Sequence, residues 1–387
     1  MANNTYIKKP ILYCDFLQYF SAIQNTTASS AGWNYTPPHN LDYLGLQTQS
    51  PRKRFTFQSG DGGDDGYYHP FFAISNIRIS RKFLNQANYV ALFGHTLGST
   101  GTGFSVEFMY DYQVVGTCVM SPLANGGTAF SGSEGLLGNG ANNMNYDGFS
   151  LWSLAPNFDT LRGWVDEIRF KFHKKAGDPI WGYNLDVAGV SFGRSFVFPT
   201  PVDLSSDVTF SNENVDYIET PAGREIWKVS TSSRENHGQF IPFQYYKTGY
   251  EGYYNDGLYG MEIGKRTGRA NFKFQVSYLD DDKIVPDFDG AFDQKKADMD
   301  AGQDNYFHEH TSGDGTISDL SSIGALMNIT MNGKLPMMLN ADSLDLTADN
   351  EYKNDKFYIV KNNAKSISYT PISPTLYNIK FDLIETW

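Results

Sequence analysis

The chain has 387 residues and a formal net charge of −12, and 40% of its residues are hydrophobic. This length favours two domains over one, and the apolar content is sufficient for true cores. Binding to nucleic acid needs a basic surface, and the negative charge argues against one. The short basic cluster at 51–54 is followed by acidic residues at 61–65. No run approaches the roughly 18 consecutive apolar residues of a membrane-spanning helix.

The amino-terminal region carries the first prediction about compartment. It lacks the hydrophobic region of a secretory signal, so we expect the chain to be made in a cytoplasm without export. Cys14 and Cys118 each lie beside apolar residues, which predicts buried free thiols. A single disulfide between them is the alternative.

The stretch YVALFGHTLG at 89–98 predicts a strand that stops near Gly94. His95 follows, and a turn at 98–101 then leads to a predicted strand at 104–115. A catalytic base, a metal ligand and a structural residue at the end of a strand are the three interpretations of His95. The hairpin-like pattern around it favours the structural one, in which the imidazole hydrogen-bonds neighbouring backbone.

Strands dominate the rest of the pattern, because clean alternation of apolar and polar residues is typical of half-buried antiparallel strands. The alternation occurs in three segments: 164–172, 272–278 and 376–387. One face of the last segment carries Tyr377, Ile379, Phe381, Leu383 and Trp387. Since a strand must pair, these residues are predicted to build the carboxyl terminus into a sheet or a subunit interface.

Two long loops and one helix are predicted in addition. One loop is rich in Gly and Asn and covers 121–148, and the other is acidic and covers 287–316. The helix is predicted from Ser318, as its amino-terminal cap, to Asn332, with Gly333 ending it.

Candidate sites for chemistry are few. His308 and His310 would point to the same side of a strand, but no third metal ligand stands at a useful spacing, so a polar loop is favoured. The acidic stretches 59–66 and 280–290 look like calcium loops but lack the EF-hand register, and surface turns explain them better. No Gly-x-Ser-x-Gly motif is predicted on a strand-to-helix turn. We therefore expect no catalytic, cofactor-binding or metal-binding residue, and no enzyme.

Several stretches together resemble bacteriophage tail proteins. YVALFGHTLG, with the turn and strand that follow it, resembles a β-sandwich module of those proteins. VSFGRSFVFPTPVD at 190–203 resembles the segment that joins this module to the rest, and RTGRANFKFQVSYLDDD at 266–282 resembles a strand that ends in an acidic turn. NGKLPMMLN at 332–340 and LYNIKFDLIETW at 376–387 resemble the closing strands.

The resemblance implies a structural virion protein of the tail tip or baseplate, similar to distal tail proteins. The implied fold is mainly β, with an antiparallel β-sandwich domain at 1–200 whose first strand is shared with the second domain. That second domain, at 201–387, would be a tail-tube-like β domain with one short helix. The implied partners are further copies in a ring and other tail or baseplate proteins. The implied location is the virion tail, after synthesis in the host cytoplasm, and no catalytic residue or cofactor carries over.

A carbohydrate-binding adhesin for host attachment is the alternative function. Its candidate ligand-facing aromatics are Tyr250, Tyr253, Tyr254 and Tyr259, and its partner would be a host-surface glycan. Tyr-rich loops also form subunit interfaces, so these residues fit both functions. A glycan hydrolase is a third candidate and would need paired carboxylates in a cleft.

Overall fold

The structure is a computed structural model. It describes residues 7–23, 27–31, 55–57, 71–95, 103–124, 126–129, 142–144, 148–173, 185–187, 189–211, 215–219, 221, 225–229, 269–284, 320–346, 350–352 and 356–386. Four helices lie in the described part: α1 Phe16–Ile23, α2 Arg81–Leu84, α3 Asp281–Ile284 and α4 Ile323–Ile329.

Strands make up most of the described chain. In chain order they are β1 Ile11–Asp15, β2 Thr27–Ala31, β3 Phe55–Phe57, β4 Phe71–Ser75, β5 Ile79–Ser80, β6 Tyr89–His95, β7 Gly103–Tyr110, β8 Gln113–Ala124, β9 Gly126–Ala129, β10 Asn142–Met144, β11 Gly148–Phe158, β12 Trp164–Val165, β13 Glu167–His173, β14 Leu185–Val187, β15 Gly189–Val197, β16 Asp207–Ser211, β17 Val215–Glu219, β18 Glu225–Val229, β19 Arg269–Asp280, β20 Met337–Asn340, β21 Phe357–Asn362, β22 Ser368–Pro371 and β23 Leu376–Glu385. The prediction of a mainly β fold is confirmed.

The main sheet is antiparallel throughout. Its hydrogen-bonded neighbours follow one another as β16, β19, β23, β21, β20, β1, β15, β6, β11, β8, β7, β13, β4 and β2. Strand β22 lies beside β23, and β10 and β9 continue from β7. The predicted antiparallel pairing is therefore confirmed.

The strand series folds back on itself around a core of aromatic rings. Phe104 of β7 lies 5.6 Å from Trp152 of β11, centroid to centroid, and Phe170 of β13 lies 6.1 Å from Phe192 of β15. Strands β7 and β13 therefore face β11 and β15 across a shared interior, as in a sandwich. Burial of each such ring contributes roughly 1.5–3 kcal/mol relative to leaving it in water.

Strand β1 lies at the centre of the series and is buried along its whole length. It pairs with β15 on one side and β20 on the other, so early and late parts of the chain meet around it. Leu12 belongs to the large core, whereas Tyr13 points to a second core, where its ring lies 4.9 Å from that of Tyr89. The predicted domain boundary near residue 200 stays a prediction.

The carboxyl-terminal strand β23 is an interior strand. It pairs with β19 on one side and with β21 and β22 on the other, which confirms that this segment is built into a sheet. Ile379, Phe381 and Leu383 are buried in the chain's own core, which accounts for their alternation without a partner subunit. Tyr377 is partly buried against that core, and Trp387 lies outside the described residues.

Helix α4 is shorter than predicted. Its cap is Ser322, whose Oγ accepts a hydrogen bond from the Ala325 N–H at 3.1 Å, and not Ser318, which lies outside the described residues. The helix closes at Thr330, whose hydroxyl donates to the Leu326 carbonyl at 2.9 Å. The prediction that Gly333 ends the helix is wrong, because the helix ends before Thr330 and the residue after this cap, Met331, is already left-handed with a φ of 52°.

The prediction of one continuous loop over the Gly- and Asn-rich stretch 121–148 is wrong. Its first four residues complete β8, and β9 and β10 lie within it. Cys118, Met120 and Ala124 point inward and are buried in the core. Their burial stabilises β8 as a strand, although its sequence shows little alternation of apolar and polar residues. The acidic stretch 287–316 lies outside the described residues.

Candidate interaction surface

One outer surface of the sandwich carries ionic side chains. We call it the charged face: Glu107, Glu167, Arg169 and Lys171 on β7 and β13. Glu167 pairs with Arg169, and the Lys171 Nζ lies 3.3 Å from the Glu107 Oε1. Inward-facing neighbours on these strands, such as Phe170, are buried. The four ionic side chains keep only 16–27% of their surface exposed, so this part of the sheet is in partial contact with water.

The adjoining part of the same outer surface lacks ionic side chains, and it begins where Thr117 of β8 pairs with Glu107 of β7. We call it the uncharged face, and it consists of three cross-strand pairs on β8 and β11: Thr117 with Asn157, Val119 with Ala155 and Ser121 with Ser153. The segments 113–124 and 148–158 contain no Asp, Glu, Lys or Arg, although 19% of the whole chain is charged. Val119 is 52% exposed, and Ala155, Ser121 and Asn157 are exposed as well.

The core sets which residues form the uncharged face. Cys118 and Met120 of β8 and Leu154 of β11 belong to the large core, so the residues between them point outward. The Ser153 hydroxyl donates to the Ser121 carbonyl at 3.3 Å across the two strands. Interface cores between proteins are depleted in Lys, Glu and Asp, and this surface lacks all three, although Ser and Ala, which form half of it, are also uncommon in such cores.

His95 lies inside the protein rather than at an accessible site. It is the last residue of β6 and 1% exposed, and its Nε2 lies 3.0 Å from the Ser150 Oγ. Burial lowers the pKa of the imidazole from 6.5 to about 3, so the ring is neutral at physiological pH. Without access to solvent it cannot exchange protons with a substrate, and the structural interpretation is the one that fits.

The stretch GVSFG at 189–193 has the Gly-x-Ser-x-Gly spacing of a hydrolase nucleophile. Its serine, Ser191, lies within β15 and is completely buried, with its Oγ 2.8 Å from the Tyr89 hydroxyl. A nucleophile elbow requires an exposed serine on a strand-to-helix turn, and this motif is instead part of an interior strand.

Both cysteines are buried and free, as predicted. Burial raises the pKa of the Cys14 and Cys118 thiols, so neither is a reactive thiolate at neutral pH. Within the described ranges, no group of three or more His, Cys, Asp or Glu side chains could hold a metal ion. In the same part of the chain, no helix has the length and apolar character to cross a membrane.

Several predicted site residues lie outside the described residues. These are the metal candidates His308 and His310, the acidic stretch 59–66, and the candidate ligand-facing aromatics Tyr250, Tyr253, Tyr254 and Tyr259. The start of the acidic stretch 280–290 is described. Asp280 ends β19, and the next four residues form α3, in which Lys283 pairs with Asp282 at 2.8 Å.

The segment 104–115, predicted as one strand, is a hairpin. Strand β7 ends at Tyr110 and β8 begins at Gln113, and the turn residues Asp111 and Tyr112 have φ values of 49° and 63°. The turn was missed because it contains no Gly, Asn or Pro, and Asp111 was its single signal. Tyr112 is 91% exposed, which makes it the most exposed aromatic side chain of the described residues.

Comparison with known proteins leaves the family open. No family model matches the chain, and no match was found among curated proteins. Among solved structures, a pectin-binding carbohydrate-binding module is similar over 43% of this chain and 87% of its own, at 10% identity and a TM-score of 0.23. A likeness at that level carries no argument about the fold or the function.

Proposed function

We propose that this protein is a structural virion protein of a phage tail tip or baseplate. It acts through contacts with further copies of itself and with neighbouring tail proteins rather than through catalysis. The uncharged face of β8 and β11 is the observation that carries this proposal. The ordered set of tail-protein-like stretches in the sequence supports the location in the virion tail.

Net charge supports a role for the uncharged face in contacts between copies. Two copies that each carry a charge of −12 repel one another, and this repulsion is weakest where the approaching surfaces have no acidic side chains. Burying Val119 and Ala155 removes apolar surface from water without desolvating a charge. The charged face would require desolvation of Glu107, Glu167, Arg169 and Lys171 in the same process.

The experiment that tests the proposal is native mass spectrometry of the purified full chain, combined with negative-stain electron microscopy. We expect a closed assembly of defined copy number, seen as a ring. A chain that remains monomeric at high micromolar concentration would contradict the assembly role. Mass spectrometry of purified virions tests the location separately, because it detects the chain in particles whether or not the free chain assembles.

The alternative is a carbohydrate-binding adhesin, and one observation favours it. The candidate aromatics predicted for this function lie outside the described residues, but Tyr112 provides a different exposed ring. A structural tail protein can also contact a host-surface glycan, so the two functions are compatible.

A further inference from the structure

The turn between β7 and β8 has an unusual backbone. Both of its central residues, Asp111 and Tyr112, adopt left-handed conformations. Turns of this type favour Asn-Gly or Asp-Gly, because glycine has no Cβ to clash with the backbone. Tyrosine is disfavoured at the second position, and its own packing does not explain it, since the side chain is 91% exposed.

A neighbouring segment holds the turn in place. The Asp111 N–H donates to the Asp166 Oδ2 at 2.9 Å, and the Asp166 N–H donates to the Met109 carbonyl at 3.0 Å. The turn is thus tied on both sides to the segment that leads into β13. A ligand that meets Tyr112 meets a backbone that is already ordered, which lowers the entropic cost of binding.

The exposed side chains of the turn combine two kinds of chemistry. Tyr110, Asp111, Tyr112 and Gln113 are consecutive and all exposed, and they offer two phenol rings, a carboxylate and an amide. The faces of phenol rings pack against the apolar C–H faces of pyranose rings. Carboxylate and amide groups hydrogen-bond hydroxyl groups.

Charge narrows the class of ligand. A carboxylate at the centre of the turn is unfavourable in the interior of a protein–protein interface, where acidic residues are depleted. The carboxylate and the net charge of −12 also repel acidic polysaccharides. A neutral, hydroxyl-rich ligand meets neither obstacle.

We propose that this turn is a contact site for neutral hexose chains, with the ring of Tyr112 as the stacking platform. The site is independent of the virion role, since it uses a different part of the surface. A protruding turn encloses little of its ligand, so a single site binds weakly. Repeated copies in an assembly would strengthen attachment through avidity.

Saturation-transfer difference NMR on the full chain tests the site, with linear hexasaccharides of glucose, galactose and mannose as probes. Tyr112→Asn removes the ring and keeps a residue that tolerates the left-handed conformation. Tyr278→Asn is the matched control, because Tyr278 is also exposed (65%) and left-handed, with a φ of 61°. We expect at least one hexasaccharide to receive saturation from the wild type and the Tyr278 variant. Transfer should be about tenfold weaker with the Tyr112 variant.

Three outcomes would overturn the proposal. The first is an absence of transfer to all three hexasaccharides. The second is equal transfer with wild type and Tyr112→Asn, which would place saccharide contact elsewhere. The third is that dextran sulfate displaces the neutral probes at equal concentration, because the site would then not select neutral chains. Circular dichroism confirms that both variants are folded before the comparison is made.

Discussion

The charged and uncharged faces are adjoining parts of one outer surface, on β7 with β13 and on β8 with β11, and their outward residues differ in charge. On both, buried side chains alternate with outward ones, and both pack on the same large core. On the charged face Lys171 pairs with Glu107, and Glu167 accepts a hydrogen bond at its Oε2 from the Ser75 hydroxyl of neighbouring β4 at 2.9 Å. The uncharged face exposes Val119 and Ala155 on two strands without ionic side chains, and Glu107 of the charged face borders it at Thr117. The inward residues of both faces stabilise the fold. The outward residues therefore determine which molecules each face can contact.

The largest effect is expected at Gly193 of β15, which pairs with β1 on one side and β6 on the other. A Cβ at this position would overlap the carbonyl oxygen of Cys14 and lie 3.0 Å from the Phe16 backbone nitrogen. Backbone on the central strand β1 cannot move aside, so Gly193→Ala should destabilise the protein by several kcal/mol, about 3–5. Chemical denaturation followed by circular dichroism measures the change.

Gly116→Ala is the control for Gly193→Ala, and it lies on β8 itself. Its Cβ would lie 2.5 Å from a ring carbon of Phe158, a side chain that is only partly buried and can shift, and 3.1 Å from the Asn157 carbonyl oxygen, a smaller overlap than at Gly193. We expect a loss of about 1 kcal/mol. Equal losses for the two variants would show that β1 and β15 do not form the rigid centre described above.

Acid should weaken the strands that support the uncharged face, through His95. The folded-state pKa of about 3 lies below the unfolded value of 6.5, so the unfolded state binds the proton more readily. The contribution is fully present above pH 6.5 and is lost as the pH falls from 6.5 toward 3, by at most about 1.4 kcal/mol per pH unit.

His95→Gln tests this assignment, because its amide can replace the Nε2 contact with Ser150 without titrating in this range. The free energy of unfolding should depend less on pH in the variant than in wild type. Denaturation between about pH 4 and pH 7, a range that includes the ordinary histidine pKa, measures this dependence. An unchanged pH dependence would mean that other groups cause the acid sensitivity.

The smallest effect is expected on the charged face. Lys171→Gln removes the ion pair between Lys171 and Glu107. Because both side chains are partly exposed, the free energy of unfolding should change by less than about 1 kcal/mol. Assembly should not change, because this face is proposed to remain in water. Loss of assembly in this variant, measured by sedimentation velocity, would mean that the two faces have been assigned the wrong way round.

Periodicity predicted the strands with ordinary amphipathic patterns. The segment 272–278 lies in one strand and 376–385 forms another, because alternating burial leaves a direct mark on the sequence. The segment 164–172 is broken at Asp166 into two strands, β12 and β13, which pair in different sheets. Strand β8 leaves little such mark, since its outward residues Thr117, Val119 and Ser121 are uncharged. For this reason the sequence predicts a loop for its last residues.

Long-range contacts account for other differences. Several serines precede α4, and the backbone N–H of Leu320 is bound by the Gln86 side chain at 2.6 Å, a contact across 234 residues of sequence that keeps the segment before Ser322 out of the helix. The uncharged face itself could not be predicted, because it exists only once β8 pairs with β11. The exposure of Tyr112 likewise depends on a turn that carries no glycine.

Sedimentation velocity of wild type, Val119→Asp and Val197→Asp tests the central claim most directly. Val119 and Val197 are matched, since both are strand valines with half of their surface exposed, 52% and 50%, on β8 and β15 respectively. A carboxylate at Val119 would have to be desolvated in the proposed contact, so association should weaken by about tenfold or more, while Val197→Asp should assemble as the wild type does. Equal assembly of all three proteins, or equal loss in both variants, would contradict the claim that the uncharged face joins copies of this chain.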